Sequence, residues 1–324
     1  MTRTVREQLN LWAGRVPRYI AVGERDPQHQ IRVVLEGLGP AIDVTRNHVV
    51  AGLQPLTIAL ALPGSVHPKT IRNHPVRLTF SLQSDPAAVL GEVGLRQDGT
   101  IQADRATFQL FRRSNHTDRC MPPVAAAVFG LRQGWSEWKK RRQPGFHMDP
   151  PDLAAFLVLY ICPRPVVLVT VQHGQASNLF PMDLIGPTDS PYFLMALRST
   201  NPSIGLIAES RRLALADVPL EQAGVAYRLG EHHRKERIDW SSLPFETEPS
   251  PAHGFPVIRT ALRLRDVVVR DVQVVNSHTL FITEVIHEER RDNALQLFHM
   301  SGPYYRYLVR RGIELPLPAP KVAR

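Results

Sequence analysis

The alternation of apolar and polar positions along the chain is mostly of period two, which points to strands. Runs such as Ile31–Glu36, Leu56–Leu62, Val76–Leu82, 88–95 and 106–111 predict strands in the first half. The second half repeats the habit at 166–172, 178–185, 192–197, 212–218 and 279–287, and 258–275 is long enough for two strands. Helical spacing is rarer. Residues 68–74 and 202–210 read as short helices after a polar loop and a proline, and Pro202 suits a first helical turn. Residues 123–142 read as a longer helix, and Asp149–Ile161 as another, with Asp149 as N-cap and Pro150-Pro151 in its first turn.

The order of these elements repeats. Ile31–Leu82 laid over Val167–Val218, at an offset of about 136, gives the same sequence of strand, polar turn, strand, proline, apolar strand, polar loop, short helix and strand. The expected class is therefore mainly β with short helices, in two barrel-like units. These are either an internal pseudo-dimer or two unrelated β domains. The Pro144–Pro151 stretch marks the boundary, giving units at 1–145 and 146–315 and a proline-rich tail at 316–324.

Composition narrows the class. The chain has 324 residues, 43% of them hydrophobic and 21% charged, the profile of a globular protein with ample core material. Its apolar runs are too short to span a bilayer, and the opening MTRTVREQLNLWAG has no long apolar segment of a secretory signal. Two cysteines, Cys120 and Cys162, stand outside any metal-spaced pattern. The expected setting is cytoplasmic and reducing, with no membrane partner.

The net charge is +9, and residues 1–150 hold 20 of the 39 Lys and Arg but only 12 of the 30 Asp and Glu. A basic half suits an anionic cofactor, nucleic acid or plain solubility. The run Lys139-Lys140-Arg141-Arg142 beside Trp135 and Trp138 comes with no nucleic-acid-binding motif, so nucleic acid is disfavoured. His232-His233 has no carboxylate at ligand spacing and reads as a solvated loop rather than a zinc site. No glycine-rich dinucleotide loop and no nucleophile elbow occurs.

One stretch mixes signals. In Pro163–Gly186 an apolar strand leads into a second segment that carries Asn178, Pro181 and Asp183 among hydrophobic residues. By the residues alone this is a turn and a surface-facing pair on an edge strand, or one wall of a ligand site. Five segments in order decide how it is read here: "CPRPVVLVT" (162–170), "GQASNLFPMDLIGP" (174–187), "SPYFLMALRSTNPSIGLIAES" (190–210), "SHTLFITEVI" (277–286) and "HMSGPYYRYL" (299–308). Together they resemble the split-barrel flavin reductase family over roughly residues 155–310.

That resemblance implies a six-stranded antiparallel barrel that binds FMN, or FAD, and takes hydride from NAD(P)H. It implies that Asn178, Pro181, Met182 and Asp183 line the ring and ribityl chain. It implies that Arg198, Ser199, Thr200 and Ser203 surround the phosphate, and that His299 and Tyr304 wall the nicotinamide. Two departures stand out. Asp183 replaces the family's small hydroxyl, and the 202–210 helix has Ser203 and Leu206 where the family has Thr-x-x-Asn. In the first half, "HPKTIRNHP" (67–75) is either a surface loop or a phosphate loop. In the second reading Lys69 and Thr70 complete a composite site across the two units. The family also implies a partner oxygenase that uses reduced flavin, and a homodimer, for which a pseudo-dimeric monomer is the alternative. The competing functional expectation is a non-catalytic barrel that binds another anionic ligand or a protein.

Overall fold

Aliphatic and β-branched residues at alternate positions give the strands two different faces. In Ile31-Arg-Val-Val-Leu-Glu36 the side chains of Ile31, Val33 and Leu35 are fully buried, while Arg32 and Glu36 reach the edge of solvent. The computed structural model describes residues 16–26, 30–63, 74–103, 106–140, 147–188 and 191–318. The helix expected at 68–74 and the loop bearing Lys69 and Thr70 lie outside the described residues, apart from His74.

After β1 (Tyr19–Glu24), seven strands form the first sheet: β2 (Ile31–Glu36), β3 (Ile42–Asp43), β4 (His48–Leu53), β5 (Leu56–Ala61), β6 (Val76–Leu82), β7 (Val89–Ala103) and β8 (Ala106–Asp118). Their spatial order is β3-β2-β6-β7-β8-β5-β4, with every pairing antiparallel. Helices α1 (Pro123–Lys140) and α2 (Pro150–Leu159) and the short β9 (Arg164–Pro165) follow.

The second sheet is built from β10 (Val167–His173), β11 (Ala176–Met182), β12 (Ile185–Pro187), β13 (Tyr192–Arg198) and β14 (Arg212–Asp217), with α3 (Ser203–Ser210) between the last two. Next come α4 (Ala223–Leu229), a 3-10 turn at Gly230–Arg234 and a ribbon of β15 (Thr247–Pro249) and β16 (Pro256–Ile258). The long hairpin β17 (Arg263–Val275) and β18 (His278–Arg290) completes the sheet. β19 (Gln296–Ser301) and α5 (Gly302–Arg310) close the chain's described fold.

The second sheet runs β11-β10-β14-β17-β18-β13-β12. Strand for strand, this is the order of the first sheet. The offset read from the sequence holds at the strand starts: Ile31 matches Val167, Leu56 matches Tyr192 and Val76 matches Arg212. The halves differ in what joins the fifth and sixth strands. A short turn at 83–88 serves the first sheet, and the long insertion 218–262 serves the second.

The two sheets share a core. Val49, Ala51, Ala59 and Phe108 of the first pack with Tyr192, Leu194, Ala196 and Leu280 of the second. Polar contacts pin the same seam: Asn276 Nδ2 donates to Thr57 Oγ1 at 2.9 Å, and Arg164 Nη1 donates to the His48 carbonyl at 2.9 Å. The halves also exchange elements. Helix α2 follows the Pro144–Pro151 boundary, yet its Leu153, Phe156 and Leu159 sit in the core of the first sheet, as do Tyr304 and Leu308 of α5. β1 pairs with β19 from Tyr19–Ser301 to Glu24–Gln296. Gly302 is needed at this closure, because a Cβ there would stand 1.8 Å from the Pro17 carbonyl oxygen.

Candidate functional site

Strand β11 ends at Met182, and the chain crosses to β12 through Asp183 and Leu184. Opposite this crossing, β13 ends at Arg198 and leads through Thr200, Asn201 and Pro202 into α3. Between them lies a cavity of about 820 Å³. The 3-10 turn adds Gly230, His233 and Arg234, β18 adds His278, and Leu53 of the first sheet adds the far wall. Loop chemistry at strand ends thus meets a wall supplied by the other half.

The lining is of two chemical kinds. Leu53, Met182, Leu184, Ala196 and Leu197 are apolar. Arg198, Arg234 and His233 are basic, and Arg234 and His233 both lie within electrostatic reach of Arg198. Burial, and then the charge of Arg234, lowers the Arg198 guanidinium from its ordinary value. Two cations close enough to oppose each other leave that part of the lining electropositive and suited to an anion. Burial and Arg198 together press His278 down to about 4, so it is neutral near pH 7.

Asp183 is the carboxylate among the described lining residues. Its Oδ2 accepts from His299 Nδ1 at 2.7 Å and from the Tyr160 hydroxyl at 3.1 Å. Burial alone would raise its pKa, but these bonds outweigh burial and hold the carboxyl below the usual range. His299 Nε2 meets the Tyr227 hydroxyl at 3.0 Å. The imidazole lies between the rings of Tyr19 and Tyr227, each 5.9 Å away centroid to centroid. A hydrogen-bonded line Tyr160–Asp183–His299–Tyr227 therefore runs along one flank of the site.

Of the residues expected from the sequence, Pro181, Met182, Asp183, Arg198 and Thr200 line the cavity. His299 stands behind Asp183. Asn178, Ser199 and Ser203 do not line it. Asn178 is fully buried, and its Nδ2 reaches Ser203 Oγ at 2.9 Å and the carbonyls of Lys235 and His232 at 2.9 and 3.1 Å. It ties β11, the start of α3 and the 3-10 turn into one frame. Ser199 faces the β17–β18 hairpin, with its Oγ 3.1 Å from Thr279 Oγ1. Tyr304 does not line it either: its ring is wholly buried in the core of the first sheet, because α5 crosses to that half.

His232-His233 is also not a solvated loop. His232 Nδ1 and His233 Nε2 donate to the carbonyls of Leu179 and Pro181, each at 2.7 Å, and clamp the turn onto β11. Asn201 Nδ2 lies 3.1 Å from His233 Nδ1, which fits a neutral ring accepting there. His233, Arg234, His278 and Leu53 line the cavity without having been expected from the sequence. The paired histidines and the adjacent basic run were the available signal for the first two.

A flavin reductase like domain model matches residues 159–307, the segment that carries every wall of the cavity except Leu53. This part of the chain is a flavin reductase like domain. Several solved structures are similar. The NADH:FAD oxidoreductase SgcE6 from Streptomyces globisporus is 20% identical, with 49% of this chain and 95% of that chain covered and a TM-score of 0.42. BorF, the flavin reductase component of a bacterial two-component tryptophan halogenase, is 18% identical over 46% and 93%, with a TM-score of 0.41. An FMN-binding protein from Thermus thermophilus is 18% identical over 50% and 90%, with a TM-score of 0.39. No curated protein matches the chain. Among the described residues no helix is long and apolar enough to cross a membrane.

Proposed function

We propose that the flavin reductase like domain binds FMN, or the mononucleotide part of FAD, in this cavity and transfers hydride to it from NADH or NADPH. The observation that carries the reading is a single lining that combines apolar side chains with two arginines. A flavin nucleotide calls for both, with a flat, largely apolar ring at one end and a phosphate at the other. The volume also lies within the usual range for cofactor clefts, about 300–1,000 Å³.

Bound flavin supplies the electron-accepting chemistry. The chain supplies position and electrostatics. Arg198 and Arg234 neutralise the phosphate, with Thr200 offering a hydroxyl beside them. Leu53, Met182, Leu184 and Leu197 exclude water from the ring's side. Asp183 holds the Nδ1 proton of His299 and so fixes the imidazole, leaving Nε2 directed at Tyr227. His299 and Tyr227 form the rim against which the nicotinamide would lie. We propose further that Lys69 and Thr70, from the first half, contribute to phosphate binding in a composite site. The shared strand order supports the first half (1–145) as a diverged copy of the second (146–315), with 316–324 as a tail. Reduced flavin then serves an acceptor such as a partner oxygenase in the cytoplasm.

The test is an absorbance spectrum after adding FMN and desalting, followed by assay of NADH and NADPH oxidation. About one flavin retained per chain is expected. Arg198→Ala should weaken binding about 10–100-fold, the range for loss of a charge-assisted phosphate contact. Lys69→Ala should also weaken it, and Asp183→Ser should preserve or strengthen it. A colourless protein would overturn the reading and leave a barrel that binds a different anion or a protein.

A further inference from the structure

Helix α1 shows two opposite faces. Its inner face is anchored to the body of the protein. Phe129 packs with Val16, Met121 and Leu157, and Gln133 and Glu137 bind Arg18. Its outer face carries Val124, Val128, Leu131, Trp135 and Trp138, with exposures of 78, 40, 76, 58 and 48%. The spacing is 4-3-4-3, the seam of a two-stranded coiled coil rather than the broader face of a helix laid on a sheet or a lipid surface.

A second observation points the same way. Gly130 and Gly134 stand inside this helix, and glycine is the poorest helix former after proline. A Cβ at either would meet nothing among the described residues within 4 Å, so no packing among them requires these glycines. Gly134 and Ala127 flank the seam on the side of Leu131 and Trp138, where small residues let a second helix come close.

We propose that α1 is a homodimerisation helix that pairs antiparallel with the α1 of a second copy, about a two-fold axis at Leu131. The side chains are complementary in that arrangement and in no parallel one. Antiparallel pairing sets Val124 against Trp138, Val128 against Trp135 and Leu131 against its mate, a large residue with a small one in each outer layer. Parallel pairing would oppose indole to indole twice. It would also bring the two Lys139 side chains together. The antiparallel arrangement keeps the two Lys139 positions roughly 24 Å apart along the helices, beyond the Debye length of about 8 Å. The stripe exposes on the order of 500 Å² of apolar surface per copy, and with its polar rim it approaches the roughly 800 Å² per partner of a standard interface. In the single copy the two indoles stack on each other at 5.0 Å, and Lys139 Nζ lies 5.3 Å from the Trp135 centroid.

The test uses the full chain in sedimentation velocity from 1 to 200 µM. A dimer is expected at the upper concentrations. Leu131→Glu, at an exposed position, should keep the native circular dichroism and weaken dimerisation by at least about a hundredfold. Cysteine cross-linking reads the orientation. Leu131→Cys should cross-link to itself. Val124→Cys should not, but should cross-link to Trp138→Cys in a mixed sample. A monomer throughout, a dimer indifferent to Leu131→Glu, or self-cross-linking at Val124→Cys would each overturn the proposal. So would a monomer whose stripe binds anionic phosphatidylserine vesicles, with binding lost in Leu131→Glu.

Discussion

Removing the partners of the Asp183–His299 pair, singly and together, would measure how firmly the flank of the site is held. The two side chains meet at 2.7 Å with exposures of 29% for Asp183 and 16% for His299. An exposed pair contributes about 0–1 kcal/mol, and breaking a buried one costs about 3–5 kcal/mol. This pair lies between, and Asp183 keeps the Tyr160 hydroxyl when His299 is gone. A coupling of about 1–2 kcal/mol is therefore expected from Asp183→Asn, His299→Gln and the double variant in urea unfolding at pH 6. The pH dependence has a fixed sign. The folded carboxyl titrates below its unfolded value of about 3.9, so its stabilisation is complete above that value and is lost as pH falls through the folded one. The coupling should hold from pH 6 to pH 5 and shrink below about pH 4. A coupling under about 0.3 kcal/mol at pH 6 would show the two groups act independently and refute the reasoning.

Two further outcomes follow from buried groups. Asn178→Ala should cost about 2–3 kcal/mol, because it removes all three hydrogen bonds donated by a fully buried amide, and limited proteolysis should show faster cleavage near 230–235. His278, buried and depressed to about 4, should make stability fall by about 3 kcal/mol as pH drops from 6.5 to 4, and His278→Gln should flatten that slope in a denaturation series.

The strands were legible because burial on one face writes itself into every second residue, and the offset of 136 was legible because both sheets use that rule in the same order. The cavity's near walls, from Pro181 to Asp183 and from Arg198 to Thr200, lie at strand ends that local sequence marks. What was hidden depends on long-range packing. Asn178 looked like a ligand contact, but its amide is spent on the Lys235 and His232 carbonyls, more than fifty residues away. His233 and Arg234 reach the site only because an insertion folds back over β11. Tyr304 left the site because α5 crosses into the other half. No local pattern announces that exchange.

The pairing of β1 with β19 also ties the first described strand to the last. Gly23 N–H donates to the Pro316 carbonyl at 2.7 Å, so the segment after α5 lies against the same strand. On the ribosome, β1 must wait until β19 has been made before its partner exists, and the first core stays open until Tyr304 and Leu308 arrive to fill it.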